Sequence, residues 1–150
     1  MMTELLSRAA LPCLCANFRR AARALTQLYD DALRPAGLRA TQFTVLQALE
    51  LAGEVSQGEL GRLLVMDSTT LTRTLRLLSS HGWIEARPGE DRRERRLRLA
   101  AAGRRQLARA LPRWERVQAR LRSRTGERRW RELMSASVEV CGRVQKTVEH

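Results

Sequence analysis

Apolar residues recur every three or four positions along most of the chain, and the breaks in that rhythm divide it into elements. Phe18, Ala22, Leu25, Tyr29 and Leu33 share one face of a first helix. Arg34-Pro35-Ala36-Gly37 ends it, with both a proline and a glycine in the stop. Phe43, Leu46, Leu49 and Glu50 predict a second helix from about Ala40 to Leu51, closed by Gly53. Glu54-Val55 leaves room only for a very short extended piece. Ser56-Gln57-Gly58-Glu59 then has the form of a capping box, in which Ser56 and Glu59 each satisfy an orphan amide. The short helix it opens carries Leu60, Leu63 and Leu64 and breaks at Met66-Asp67, where Asp67 is a good N-cap for the next. That fourth helix runs to about Ser80 and stops at His81-Gly82. Two short capped helices joined by a tight turn predict a helix-turn-helix.

The fourth helix carries the functional signal. Leu71, Leu75 and Leu78 mark its buried side, while Thr69, Thr72, Arg73, Arg76 and Ser80 occupy the opposite one. Ser68, Thr69 and Thr70 crowd its first turn, where amides and small hydroxyls can approach phosphates or base edges. A merely solvated face is the bland alternative, but threonine is a weak helix former and a poor choice for one. Beyond this helix, Trp83 to Arg87 and Leu97-Arg98-Leu99 read as two short strands. They flank an arginine-dense tip around Pro88-Gly89, with Leu97 and Leu99 on a buried side. Such a hairpin beside a recognition helix is placed to touch phosphate or the minor groove, whereas a free charged loop is its alternative reading.

The remainder is helical. Leu107, Leu111, Trp114, Gln118 and Leu121 follow one face, with Pro112 expected to bend the helix. Thr125-Gly126-Glu127 starts a last helix, whose stripe is Trp130, Leu133, Met134, Val138, Cys141 and Val148. A small winged domain does not need these stripes, so they are expected to meet the first helix and a second copy of the chain. The fold class is therefore mainly α (α+β), a winged helix-turn-helix with N- and C-terminal dimerisation helices. Within one 150-residue unit, 1–36 and 101–150 form the dimerisation region and 37–100 the DNA-binding region.

Charge and composition sharpen the picture. The formal net charge is +12, and all of the basic residues except Lys146 are arginine, whose rigid fork suits phosphates and guanine edges. Codon bias enriches arginine too, so charge alone does not establish a nucleic-acid partner. No apolar run approaches the roughly 18 residues of a membrane span. Leu5 to Ala16 is interrupted by Arg8, and Pro12 precedes Cys13 where lipoprotein processing would want a small residue, so a cytoplasmic protein is expected. Three cysteines give no disulfide framework, Cys13 and Cys15 are too close for an ordinary bridge, and neither zinc nor another cofactor is expected. With only His81 and His150 available as histidine bases, no catalytic constellation is evident, and an enzyme is not expected.

These residues together resemble the MarR family of bacterial regulators, from about Cys15 to the last helix. The most specific parts are Asp67-Ser68-Thr69-Thr70-Leu71-Thr72-Arg73 and the wing motif Asp91-Arg92-Arg93, with Ala40-Thr41-Gln42-Phe43 and Val45-Leu46 in support. The resemblance implies an obligate dimer on double-stranded, pseudo-palindromic operator DNA, acting as a repressor released by a ligand or by cysteine oxidation. Ser68, Thr69, Thr70, Thr72 and Arg73 would face the major groove, with Arg76 beside them. Asp91 would brace Arg93 in the minor groove, next to Arg92 and Arg95. Arg39 departs from the helix-capping threonine of many members.

The N-terminal segment around Leu14-Cys15 and Ala21 to Thr26 is similar to the organic-hydroperoxide-sensing branch of that family, which implies a redox sensor at Cys15 with Tyr29 polarising it. Arg19 and Ala40 stand where two further tyrosines would be. The alternatives are a small aromatic or phenolic ligand between helices, with the cysteines as small buried hydrophobes. A non-specific nucleoid-type DNA binder is the alternative to the whole functional reading, but it needs neither a polar recognition face nor a braced wing.

Overall fold

The computed structural model describes residues 9–91 and 94–148, and its elements follow the predicted order. They are α1 (Leu14–Leu33), a 3-10 turn (Arg34–Ala36), α2 (Ala40–Ala52), β1 (Val55–Ser56), α3 (Gln57–Leu64) and α4 (Ser68–Ser80). Then come β2 (Ile84–Pro88), β3 (Arg95–Leu99), α5 (Ala101–Thr125) and α6 (Glu127–Val148). The three strands form one antiparallel sheet in the order β1-β3-β2, with Val55 opposite Leu97 and Ile84 opposite Leu99. That register puts Ile84, Leu97 and Leu99 on the inner side, as a period of two requires.

Each boundary has a local cause. Gly37 ends the 3-10 turn in the left-handed region at φ 74°. The first amide of α2, on Ala40, donates to Asp30 Oδ1 of α1 at 2.7 Å, and the Arg39 amide donates to Gln42 Oε1 at 2.9 Å. Thus Asp30, a residue of another helix, does the work of the missing threonine cap. The capping box of α3 forms as read: the Ser56 amide donates to Glu59 Oε2 at 2.7 Å, and the Glu59 amide to Ser56 Oγ at 3.1 Å. After α4, the His81 ring stacks on Trp83 with centroids 4.3 Å apart while the chain turns at Gly82.

Phe43, Val45, Leu46 and Leu49 of α2 form the centre of the core, meeting Leu60 of α3, the leucine row of α4 and the sheet. α5 crosses behind them, its Trp114 ring stacked on Phe43 at 5.8 Å. Gln106 Nε2 of α5 donates to the Ala36 carbonyl at 2.6 Å, which ties α5 to the corner between α1 and α2.

One reading changes, that of Glu50, and several apolar positions stay open. Phe18, Ala22 and Leu25 do not reach the core, because the N-terminal part of α1 extends past it; only Leu33 of that helix is buried and Tyr29 is half-buried. Pro112 lies inside α5, which is continuous from Ala101 to Thr125. Glu50, read with the apolar face of α2, is exposed and pairs with Arg104 at 3.3 Å. Leu133, Met134 and Val138 of the predicted α6 stripe are also open, with Leu133 at 53% and Val138 at 70% exposure.

Two backbone positions give tests of the packing. A Cβ built on Gly103 would lie 2.0 Å from the Trp83 carbonyl oxygen, which is backbone and cannot swing aside. Gly103→Ala should therefore push α5 off the sheet and cost at least about 2 kcal/mol in urea denaturation. Val65, in the turn between α3 and α4, is β-branched yet left-handed at φ 52°. The strain there is about 1–2 kcal/mol, so Val65→Gly should raise the urea midpoint despite the added freedom of the unfolded chain.

Candidate DNA-binding surface

α4 presents its polar side because its apolar side is held from within. Leu71, Leu75 and Leu78 are buried, at 1%, 6% and 0% exposure. Ser68, Thr69 and Thr70 in the first turn are exposed, as are Arg73 and Arg76 one and two turns further on. Asp67 caps the helix: the Thr70 amide donates to Oδ1 at 2.8 Å and the Thr70 hydroxyl to Oδ2 at 2.6 Å. Those bonds, the hydroxyl's first, hold the Asp67 carboxyl below its ordinary pKa.

Thr72 differs from its reading as part of the open face. It is half-buried, and its hydroxyl accepts from Gln57 Nε2 of α3 at 3.0 Å. The position lies between the leucine row and the arginine face, so the side chain fills the seam between the two helices. Gln57 is consequently a surface residue that sequence reading missed; its helical position beside the capping box was the available clue.

The wing lies beside this face. Asp91 is exposed at its tip, and its carbonyl accepts from the Glu94 amide at 2.8 Å. The Gly89 amide donates to the Glu94 carbonyl at 2.8 Å and closes the loop. Arg95 is exposed at the start of β3, opposite Pro88 of β2. Arg92 and Arg93 lie outside the described residues. A groove lined by Ser56, Gln57, Gly58, Asp91, Glu94 and Arg95 runs from α3 to the wing.

The structure does not bring Cys15 and Tyr29 of one chain together. Both lie on the unbroken α1, and 14 residues of helix separate them by about 21 Å. Cys15 is exposed in the first turn, and burial raises the pKa of the half-buried Tyr29 phenol. Cys13 and Cys141 are exposed as well, so no cysteine is a buried packing residue of the single chain. Among the described residues no three His, Cys, Asp or Glu side chains are placed to hold a metal, and no helix is long and apolar enough to cross a membrane.

An outward polar helix in a helix-turn-helix, flanked by a β-hairpin, defines a winged helix-turn-helix protein with a DNA-binding fold. A family profile described as the MarR family matches residues 36–94. The transcriptional regulator MosR of M. tuberculosis, solved in complex with DNA, is 38% identical with a TM-score of 0.72, over 86% of this chain and 98% of that one. The chain belongs to the MarR family of transcriptional regulators. The uncharacterized HTH-type transcriptional regulator YwoH of Bacillus subtilis is 34% identical over 79 residues, covering 53% of this chain and 58% of YwoH. The multiple antibiotic resistance protein MarR of Salmonella typhimurium is 38% identical over 65 residues, or 43% and 45% of the two chains. The chain thus matches about half the length of these curated relatives. The apo form of MarR from E. coli, at 22% identity and a TM-score of 0.68 over 88% of this chain and 98% of that one, shares the fold.

The Asp67 cap makes a pH prediction. Because its folded pKa is depressed, its contribution to stability is fully present above the ordinary carboxylate range and is lost as pH falls through the lower, folded value. Asp67→Ala should lower the thermal midpoint at pH 7 by a few degrees. As pH falls through the folded pKa, the part of that difference that depends on the charge should be lost. A difference that does not shrink at all would show that the ionised carboxylate adds nothing to the cap.

Proposed function

We propose that this protein is a homodimeric, cytoplasmic repressor that binds a pseudo-palindromic operator in double-stranded DNA. The observation that carries the reading is the exposed row Ser68, Thr69, Thr70, Arg73 and Arg76 on a helix whose other side is locked into the core. Arg73 projects one turn beyond the hydroxyl-bearing first turn, the reach at which a guanidinium can grip a guanine edge. Arg76 and the wing residues Asp91, Arg92, Arg93 and Arg95 add backbone and minor-groove contacts. MosR, solved with DNA, supports the choice of partner. Non-specific binding fits less well, since phosphate contact alone needs no capped, outward recognition helix.

Residues 37–100 form the DNA-binding region in this reading, and 1–36 with 101–150 the dimerisation region. Its support is the pair of open apolar stripes, Phe18 and Leu25 on α1 with Leu133 and Val138 on α6. A second copy covers them and sets the spacing of the two recognition helices.

Release from DNA follows one of two inputs acting on α1. A groove of about 330 Å³ between α1 and α5 has an apolar floor of Leu28, Ala32 and Val117 under Arg113, Arg116 and Arg120. It suits a small aromatic ligand. Alternatively the Cys15 thiolate attacks the O–O bond of an organic hydroperoxide, forming a sulfenic acid and releasing the alcohol. Its exposure on α1 favours this second input. In either case a shift of α1 alters the spacing between recognition helices.

Arg73→Ala should relax the preference at one position of each half-site and cost about 1–3 kcal/mol on operator DNA, read by titrating a set of single-base variants. An equal loss on every sequence would reduce Arg73 to a phosphate contact. Leu133→Asp should yield a monomer by light scattering that no longer holds the operator, because a charge would be buried at the interface. Cumene hydroperoxide should release wild-type protein but not Cys15→Ser. Equal release of both would exclude Cys15 as the sensor.

A further inference from the structure

Arg96 is the second residue of β3 and faces Ser56 of β1 across the sheet. Its guanidinium is the meeting point of three acidic side chains from different parts of the fold. Nη1 donates to Glu59 Oε2 of α3 at 3.3 Å, and Nη2 donates to the Glu54 carbonyl before β1 at 3.0 Å. Nε lies 3.6 Å from Glu54 Oε1, and Nη1 lies 3.7 Å from Glu94 Oε1 in the wing loop. The Glu59 oxygen that Arg96 reaches also accepts from the Ser56 amide at 2.7 Å in the capping box. Ser56's hydrogen bonds, with a smaller contribution from Arg96, hold the Glu59 carboxyl below its ordinary pKa.

We propose that Arg96 is a positioning residue for DNA binding, which bolts the wing to the N-terminus of α3 so that wing and recognition helix meet the duplex at a fixed offset. The inference rests on the DNA-binding reading above. Three features of the chemistry carry it. A guanidinium spreads its donors over three nitrogens and can reach a carbonyl and two carboxylates at once, whereas the three donors of an ammonium share a single nitrogen. Glu54 and Glu59 belong to the helix-turn-helix side and Glu94 to the wing loop, so the cluster crosses the junction between the two DNA-contacting parts. Its side chain is only 30% exposed and is turned toward these acids, so its role differs from that of the open arginine Arg95. Without Arg96, the three carboxylates would lose the ion pairs that gather them beside the groove that DNA phosphates approach, and Glu59 would keep only the weaker pull of Arg62. Hinging of the wing and repulsion of DNA would both follow.

The test is a double-mutant cycle between Arg96→Met and Arg93→Ala on operator DNA, accompanied by melting curves and by tryptic digestion of the free protein. Arg96→Met removes the charge but keeps the stem. It should weaken binding about tenfold, and cleavage at Arg92, Arg93 and Arg95 should quicken while the melting temperature stays within a few degrees of wild type. In the Arg93→Ala background, where the wing contact is already gone, Arg96→Met should cause little further loss. Arg96→Lys should recover only part of the affinity. If the two losses multiply, or if the slope of affinity against salt falls for Arg96→Met even in the Arg93→Ala background, Arg96 is an independent phosphate contact and the proposal is wrong. If Arg96→Met binds and is digested like wild type, it is wrong also. If wild type shows no operator preference but the tryptic difference remains, the bolt stands and the DNA-binding reading is what has failed.

Discussion

Burial of Leu71, Leu75 and Leu78 against the α2 core is the contact on which the surface chemistry depends. A helix of 13 residues is marginal by itself in water, so α4 exists because that leucine row finds Phe43, Leu46 and Leu49. The same burial fixes its rotation. Once three leucines at four- and three-residue spacing point inward, Arg73 and Arg76 have no direction left but outward. A change of about one residue in that register would bury an arginine and expose a leucine. Which side chains the surface presents is therefore set in the core.

The other elements act mainly as a frame for this helix. The α3 capping box and the Gln57–Thr72 hydrogen bond set the two helices of the motif against each other. Val65 adopts a left-handed backbone in the tight turn between them. Gly103 lets α5 settle onto the Trp83 carbonyl, so that the long helix leaves the wing's own sheet without a gap. Asp30 receives the first amide of α2 and thereby joins α1 directly to the core.

Much of this was legible in the sequence because local rules and tertiary packing agree. The α3 capping box, the Asp67 cap and the leucine row of α4 each require only a few neighbouring residues, and each forms as read. What escaped depends on partners distant in sequence. Asp30 caps a helix that begins ten residues later, and Arg96 gathers acids from 42, 37 and two residues away. No period records such pairs. The first helix shows a related limit: a 3.6-residue stripe reports that a face is apolar, but not what covers it. Phe18 and Leu25 are as periodic as Leu33, yet only Leu33 meets the chain's own core.

The central claim, that the outward face of α4 reads base sequence from a dimeric frame, is tested most directly by selecting bound duplexes from a random pool. Two copies placing α4 in successive major grooves should enrich an inverted repeat with half-site centres about 10 bp apart. Recovery of unenriched DNA, or of a single half-site with no fixed spacing, would contradict it.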